Sequence, residues 1–450
     1  VTETLTETLA GIVGAGYVTT DPDVLDGRCV DHTGRYRGQA TALVRPGNAD
    51  EVAAVLRACR DAGACVTVQG GRTSLVAGTV PENDDILLST ERLTEIGAVD
   101  TVERRVSVGA GTTLAAVQQA AAAASLLFGV DLAARESATV GGMASTNAGG
   151  LRTVRYGNMG EQVLGLDVAL PDGSVVNRHS RVRRDNTGYD LGSLFVGAEG
   201  TLGVITSLDL RLHPTPTHRV TAICGFADLG ALVDAGRIFR DLEGIAALEL
   251  IDARASALTA EHLGVGAPVD GAWQLLIELA GDGEQTERLA DALEGTDICG
   301  EPAVGVDTNA QQRLWQVRES VAEVLGLFGP PLKFDVSLPL SAIQDFAEAA
   351  AGLIAGHAPE AIPVLFGHIG EGNLHLNVLR CGLDAEAALY AGMMALIADS
   401  GGNVSSEHGV GSRKRDYVAM SRTEADITAM RTVKAAFDPD GYLNPAVLFR

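Results

Sequence analysis

Residues 129–150 read Gly-Val-Asp-Leu-Ala-Ala-Arg-Glu-Ser-Ala-Thr-Val-Gly-Gly-Met-Ala-Ser-Thr-Asn-Ala-Gly-Gly. Paired glycines let backbone N–H groups come close to an anion, and the interleaved hydroxyls add donors. Two further stretches share this character: Gln69-Gly70-Gly71-Arg72-Thr73-Ser74-Leu75-Val76-Ala77-Gly78 upstream and Gly197-Ala198-Glu199-Gly200-Thr201-Leu202-Gly203-Val204-Ile205-Thr206 downstream. The first follows a strand pattern directly. It is neither a Walker A loop, since no Gly-Lys-Ser/Thr follows, nor a GxGxxG turn. Taken alone, a tight turn explains it as well as an anion cradle does. Taken together, the three stretches supply enough backbone to wrap a dinucleotide.

The surrounding pattern is α/β. A strand over 40–46, a helix over 50–63 with Asp50 as its expected N-cap and Gly63 beyond its end, and a strand over 65–70 lead into the first glycine stretch. Strands are expected at 85–89 and 104–110 and a helix at 113–125. Residues 163–177 read as a β-hairpin turning at Asp172-Gly173. Pro214 and Pro216 mark a boundary. Beyond it, strands at 219–226, 246–252, 332–340, 362–369 and 373–379 alternate with helices at 228–242, 309–327, 341–357 and 385–401. This order suggests an α+β sheet with helices on one face.

The chain has 450 residues, 34 Lys+Arg against 58 Asp+Glu, and a formal net charge of −24. At roughly 150 residues per domain the length implies about two or three domains. The acidic balance argues against general nucleic-acid binding, which needs a basic stripe. A small anionic substrate is still compatible, because the local field decides its binding. The start, VTETLTETLA, has no basic or apolar leader character, and the longest apolar stretch, 114–130, carries Gln118 and Gln119. A soluble cytoplasmic protein without a membrane segment is the expectation. The six cysteines form no CxxC pair and read as packing thiols.

Three histidines cluster in the last third: His368 and His375 in Phe366-Gly367-His368-Ile369-Gly370-Glu371-Gly372-Asn373-Leu374-His375-Leu376-Asn377-Val378, and His408 in Ser405-Ser406-Glu407-His408-Gly409-Val410-Gly411. In the strand LHLNV, alternation puts His375 and Asn377 on one face. Two imidazoles with a carboxylate suit a divalent ion of the Zn²⁺ or Mn²⁺ type, with a position left open. Singly, such histidines pack or cap in strand turns. Arg318, on a helix, and Lys333, on a strand, have two readings: donors for a substrate carboxylate, or surface charges paired with Glu319 and Asp335.

The three glycine-rich segments resemble the FAD-binding domain of the vanillyl-alcohol oxidase and p-cresol methylhydroxylase superfamily, over about residues 36–215. The resemblance implies a two-domain α+β fold, with a C-terminal antiparallel-sheet substrate or cap domain covered by helices. The implied division is 1–35 lead-in, 36–215 FAD domain, 216–435 substrate domain and 436–450 returning to the flavin. It assigns non-covalent FAD to Gly70, Gly71, Arg72, Thr73, Ser74 and Leu75 in the first loop. In the second it assigns Asp131, Ser137, Thr139, Gly142, Ser145, Thr146, Asn147 and Gly149. Glu199, Gly203 and Ile205 follow in the third, and Asn444 in the tail. Arg72 stands where many relatives carry a third glycine.

The C-terminal half resembles the D-2-hydroxyacid dehydrogenases of that superfamily, which act on D-2-hydroxyglutarate, D-lactate or glycolate. The resemblance implies His368, His375 and Glu407 as metal ligands, Asn377 as a substrate contact and His408 as the base. It turns Arg318 and Lys333 into substrate-carboxylate binders, as in the D-2-hydroxyglutarate subgroup. Ala322 departs from that subgroup, which commonly has a threonine there. The implied chemistry is chelation of a D-2-hydroxy acid by the cation, proton removal by His408 and hydride transfer to flavin N5. Without a nicotinamide fingerprint, the expected electron acceptor is an electron-transfer flavoprotein, a quinone or a cytochrome. A homodimer is expected by analogy. The competing readings are a metal hydrolase, an electron-relay flavoprotein, and an FAD oxidase releasing hydrogen peroxide.

Overall fold

Asn48, not Asp50, starts the first long helix of the α/β region. Its side chain accepts the Glu51 amide, while Asp50 and Glu51 sit in the first turn of Ala49–Asp61. An Asn side chain satisfies an amide that the helix itself leaves unpaired, and acids one turn in suit the helix dipole. The buried stripe Val52, Val55, Leu56 and Cys59 then packs the helix onto its sheet.

The computed structural model describes residues 2–82, 84–179, 182 and 185–449. They form two compact units: Val1–Gly149, Gly157–Thr215 and Glu407–Arg450 make the first, and Gly150–Tyr156 with Pro216–Ser406 the second. The change at Thr215/Pro216 lies at the proline pair. The chain re-enters the first unit at Glu407, where the sequence reading set the return at residue 436.

The first unit holds a four-stranded sheet in the order Val18–Thr19, Ala40–Val44, Asp84–Ser89, Val66–Gln69. Its last three strands are parallel. Val66–Gln69 is the edge strand, extended by a parallel bridge to Leu443, and it delivers the chain to Gly70. The second sheet is antiparallel: Arg105–Gly109, Val204–Pro214, Val163–Ala169 and Val175–Asn177 in order, with Leu126–Phe128 also on Val204–Pro214. The hairpin turns at Asp172-Gly173, where the Asp172 carboxylate accepts the Ser174 amide.

The second unit is built on seven antiparallel strands in the order Ala303–Gly305, His218–Phe226, Trp273–Gly281, Ile245–Asp252, Ile362–His368, Asn373–Leu379, Leu332–Ser337. Helices cover both faces, not one. On one face Leu314, Val317, Val321 and Leu325 of helix Thr308–Gly326 pack on Ile223, Ile251, Leu276, Val364 and Phe366. On the other, Phe334 meets Tyr390 of helix Leu383–Asp399. No described helix is long and apolar enough to cross a membrane.

Candidate active site

In the first unit the glycine segments converge on one another. A Cβ on Gly71 would stand 1.9 Å from the Ser137 carbonyl oxygen, and one on Gly70 2.5 Å from the Thr139 hydroxyl. The first loop can therefore lie against the second only without side chains there. The third segment closes on the second through the Gly197 and Glu199 amides, which donate to Ala144 and Ser145 carbonyls at 2.9 and 2.7 Å.

Glu199 is the junction. Its two carboxylate oxygens accept the Val410 and Gly411 amides, both at 2.8 Å. Burial pushes its pKa above the ordinary carboxylate value, and those amides and Lys414 only partly offset it. Gly409 has φ +80, and a Cβ on it would meet the Glu199 carboxylate at 3.0 Å, so the turn after His408 needs glycine. The side-chain amide of Asn444 spans the same place, accepting from the Val68 amide and donating to the Glu199 carbonyl, each at 2.8 Å. Glu407 and His408 belong to this unit, with the His408 Nε2 3.5 Å from a Glu407 oxygen.

Other candidates of this unit have partners of their own. The Arg72 guanidinium turns to the Gly27 carbonyl. Asp131 binds Arg135 and Gln118. Ser145 and Thr146 donate to the carbonyls of Gly141 and Gly142. Asn147 accepts from the Gly160 amide, and Ser74 from that of Val76. Gly142 lies against the Thr139 hydroxyl, Gly203 against Val168, and Ile205 is buried. Thr73, Leu75 and Ser137 lie along the same two loops, and Gly149 is buried at the end of the second.

In the second unit one sheet face carries the polar candidates, because residues paired across antiparallel strands share a face. Lys333 pairs with Asn377, Asp335 with His375, and Ser337 with Asn373. His368 pairs with Asn373 and with Glu249. The Nε2 atoms of His368 and His375 stand 3.3 Å apart. His368 Nδ1 lies 2.6 Å from Glu249 Oε1, and Arg318 Nε donates to Glu249 Oε2 at 2.8 Å. Burial raises the Glu249 pKa, but His368 and Arg318 outweigh it and hold the carboxyl below the usual range. Asp335 and His375 offer ligand atoms within 4.8 Å of each other. Asp335 also accepts the Ser406 amide at 3.0 Å, immediately before Glu407 in the chain.

Neither cation is paired with its sequence neighbour. Arg318 is buried, lies 4.6 Å over the Phe366 ring and spends only its Nε on Glu249. Its terminal nitrogens have no hydrogen-bond partner among the described residues. Lys333 forms no ion pair among them. Lys333 keeps exposed surface, yet burial holds its pKa below the ordinary lysine value.

Two sequence families match: an FAD-binding domain over residues 40–178, and the C-terminal domain of FAD-linked oxidases over residues 215–448. The chain belongs to the FAD-linked oxidases.

Among relatives of this family member, the mitochondrial D-2-hydroxyglutarate dehydrogenase of Bos taurus is 37% identical, over 96% of this chain and 80% of the relative. The D-2-hydroxyglutarate dehydrogenase of Stutzerimonas stutzeri is 31% identical, over 99% and 98%. In fold, p-cresol methylhydroxylase with substrate bound matches 99% of this chain and 96% of its own at TM-score 0.81 and 17% identity. The protein is thus an FAD-linked oxidoreductase acting on CH–OH donors, with the vanillyl-alcohol oxidase-type fold expected from its loops.

The residues present fit FAD. Beside the close-packed Gly70 and Gly71, the Thr139 hydroxyl is buried and meets no hydrogen-bond partner among the described residues. An unsatisfied buried hydroxyl is costly unless a ligand group completes it. They also fit a divalent cation. With Nδ1 of His368 held by a carboxylate, its Nε2 is left as a lone-pair donor facing a second imidazole, the arrangement of histidine ligands oriented from behind.

Sequence reading missed Glu249 and gave Asp335 only as an ion-pair partner of Lys333. A signal for both was present: each is an acid flanked on both sides by apolar residues in a strand, in Leu248-Glu249-Leu250 and Phe334-Asp335-Val336. Buried acids in such positions need partners.

Proposed function

We propose that this flavoprotein oxidises a D-2-hydroxy dicarboxylate, D-2-hydroxyglutarate first, to the 2-oxo acid. The observation that carries the reading is a pair of cations in the second unit: Arg318, which reaches Glu249 of the sheet from helix Thr308–Gly326 with its terminal nitrogens unengaged, and Lys333 on strand Leu332–Ser337 without an ion-pair partner among the described residues. A substrate with two carboxylates calls for two such donors. The names of the relatives from Bos taurus and Stutzerimonas stutzeri support the same choice.

FAD, held non-covalently by Gly70, Gly71, Arg72, Thr73, Ser74, Leu75, Thr139 and the second and third segments, would supply a hydride acceptor. A divalent cation of the Zn²⁺ or Mn²⁺ type, on His368, His375 and Glu407, would supply Lewis acidity toward the substrate hydroxyl. Arg318 binds one carboxylate through parallel N–H groups and Lys333 neutralises the other. Asn377, in register with Lys333, orients the bound acid. His408 would accept the hydroxyl proton, while the bound FAD would supply the acceptor for the Cα hydride. The electron acceptor in this reading is an electron-transfer flavoprotein, quinone or cytochrome.

A second reading, a D-lactate or glycolate dehydrogenase, draws on Ala322, which removes a hydroxyl from the helix of Arg318. The test is a kcat/KM ranking with D-2-hydroxyglutarate, D-malate, D-lactate and glycolate, in wild type and His408→Ala. D-2-hydroxyglutarate should lead, and His408→Ala should keep flavin and metal but lose flavin reduction. D-lactate far ahead would overturn the substrate, and metal loss in His408→Ala the assignment of the base.

A further inference from the structure

Building on that reading, in which His368 binds the cation and Arg318 the substrate, we propose that Glu249 is a positioning residue shared by both. It would make cation binding and carboxylate binding interdependent. Glu249 lies in the interior of strand Ile245–Asp252, is 1% exposed, and is paired in register with His368. Its Oε1 stands 2.6 Å from His368 Nδ1 and its Oε2 2.8 Å from Arg318 Nε.

Each contact does a distinct job. A carboxylate on Nδ1 fixes the imidazole tautomer and plane, and leaves Nε2 toward His375 3.3 Å away. A carboxylate on Nε fixes the guanidinium plane from the side and leaves the terminal nitrogens as a fork for an incoming carboxylate. Because both oxygens belong to one buried group, a shift of Arg318 is felt at His368, and the reverse. Glu278 provides the contrast. It is another buried carboxylate of this sheet, and it binds Arg152, Arg219 and the indole of Trp315 but no candidate ligand.

The test uses the purified flavoprotein, stripped with chelator and titrated with Mn²⁺, as wild type, Glu249→Gln, Glu249→Asp and Glu278→Gln. In Glu249→Gln, Mn²⁺ affinity should fall about 10- to 100-fold, with a parallel rise in KM for D-2-hydroxyglutarate and unchanged flavin content. Glu278→Gln should melt earlier yet bind Mn²⁺ as wild type does. If Glu249→Gln does not fold, Glu249→Asp carries the same expected losses. A folded Glu249 variant with wild-type Mn²⁺ affinity and KM overturns this proposal alone. A wild-type flavoprotein that binds no Mn²⁺ overturns the underlying reading and this proposal together.

Discussion

His368 and His375 face each other across adjacent strands with their Nε2 atoms 3.3 Å apart, while Nδ1 of His368 is committed to Glu249. Two imidazole nitrogens at that separation either share one proton or share one cation. The cation is the expected occupant, and the pair separates cleanly from the flavin loops in experiment. His375→Ala should lose bound metal, measured per flavin by elemental analysis, while its flavin absorbance matches wild type. Full metal content in this variant would remove His375 from the site.

Arg318 tests carboxylate recognition. Lysine keeps the charge but loses both the Nε contact to Glu249 and the fork. The loss of a hydrogen bond to a charged group costs about 1.5–3 kcal/mol, so KM for D-2-hydroxyglutarate in Arg318→Lys should rise roughly 10- to 150-fold. Because Oε2 of the buried Glu249 would also lose its close partner, thermal stability should drop as well. An unchanged KM with a lowered Tm would make Arg318 a structural residue only.

Lys333 sets a pH dependence. Burial places its pKa below the ordinary 10.5, so the ammonium is lost earlier on the alkaline side than on an exposed lysine. Below the lowered pKa the charged form carries a desolvation cost to the fold, which is relieved as pH rises. Substrate binding has the opposite sense, because the second carboxylate needs the ammonium. Thus kcat/KM for D-2-hydroxyglutarate should decline with rising pH, beginning below 10.5, and Lys333→Arg should move that decline upward. D-Lactate, with one carboxylate, should show no Lys333-dependent limb. Identical alkaline profiles for both acids would contradict this role.

Glu199 holds the turn after His408 through the Val410 and Gly411 amides. Glutamine in its place keeps one acceptor oxygen and turns an NH₂ toward the other of the Val410 and Gly411 amides. A buried N–H left unpaired costs about 1–3 kcal/mol. Glu199→Gln should therefore lower Tm and kcat while D-2-hydroxyglutarate KM stays near wild type. An unchanged kcat would show that the turn keeps its place without this clamp.

Much of this site was legible in the chain because its signals are local. Paired glycines, the Asp172-Gly173 turn and the alternation of Leu374, His375, Leu376 and Asn377 each declare themselves within a few residues. What stayed hidden depends on distance. Glu249 meets His368 across 119 residues and Arg318 across 69, and no spacing rule connects them. The strand Trp273–Gly281, inside the seven-stranded sheet of the second unit, carries its polar residues Gln274 and Glu278 four apart among apolar ones, a spacing that strand and helix periods both accommodate. The helix start at Asn48 was misplaced by two residues because several adjacent residues are competent caps.

The central claim is that His368, His375 and Lys333 on one sheet face, with Arg318 of helix Thr308–Gly326, serve a hydroxy diacid whose oxidation reduces the flavin. The measurement that addresses it most directly is anaerobic mixing of the yellow protein with D-2-hydroxyglutarate, before and after chelator treatment and after Mn²⁺ is restored, followed by flavin absorbance. Rapid bleaching that is lost with chelator and regained with Mn²⁺ is the expected result. Flavin that stays oxidised with this acid, or that bleaches equally well without metal, would contradict it.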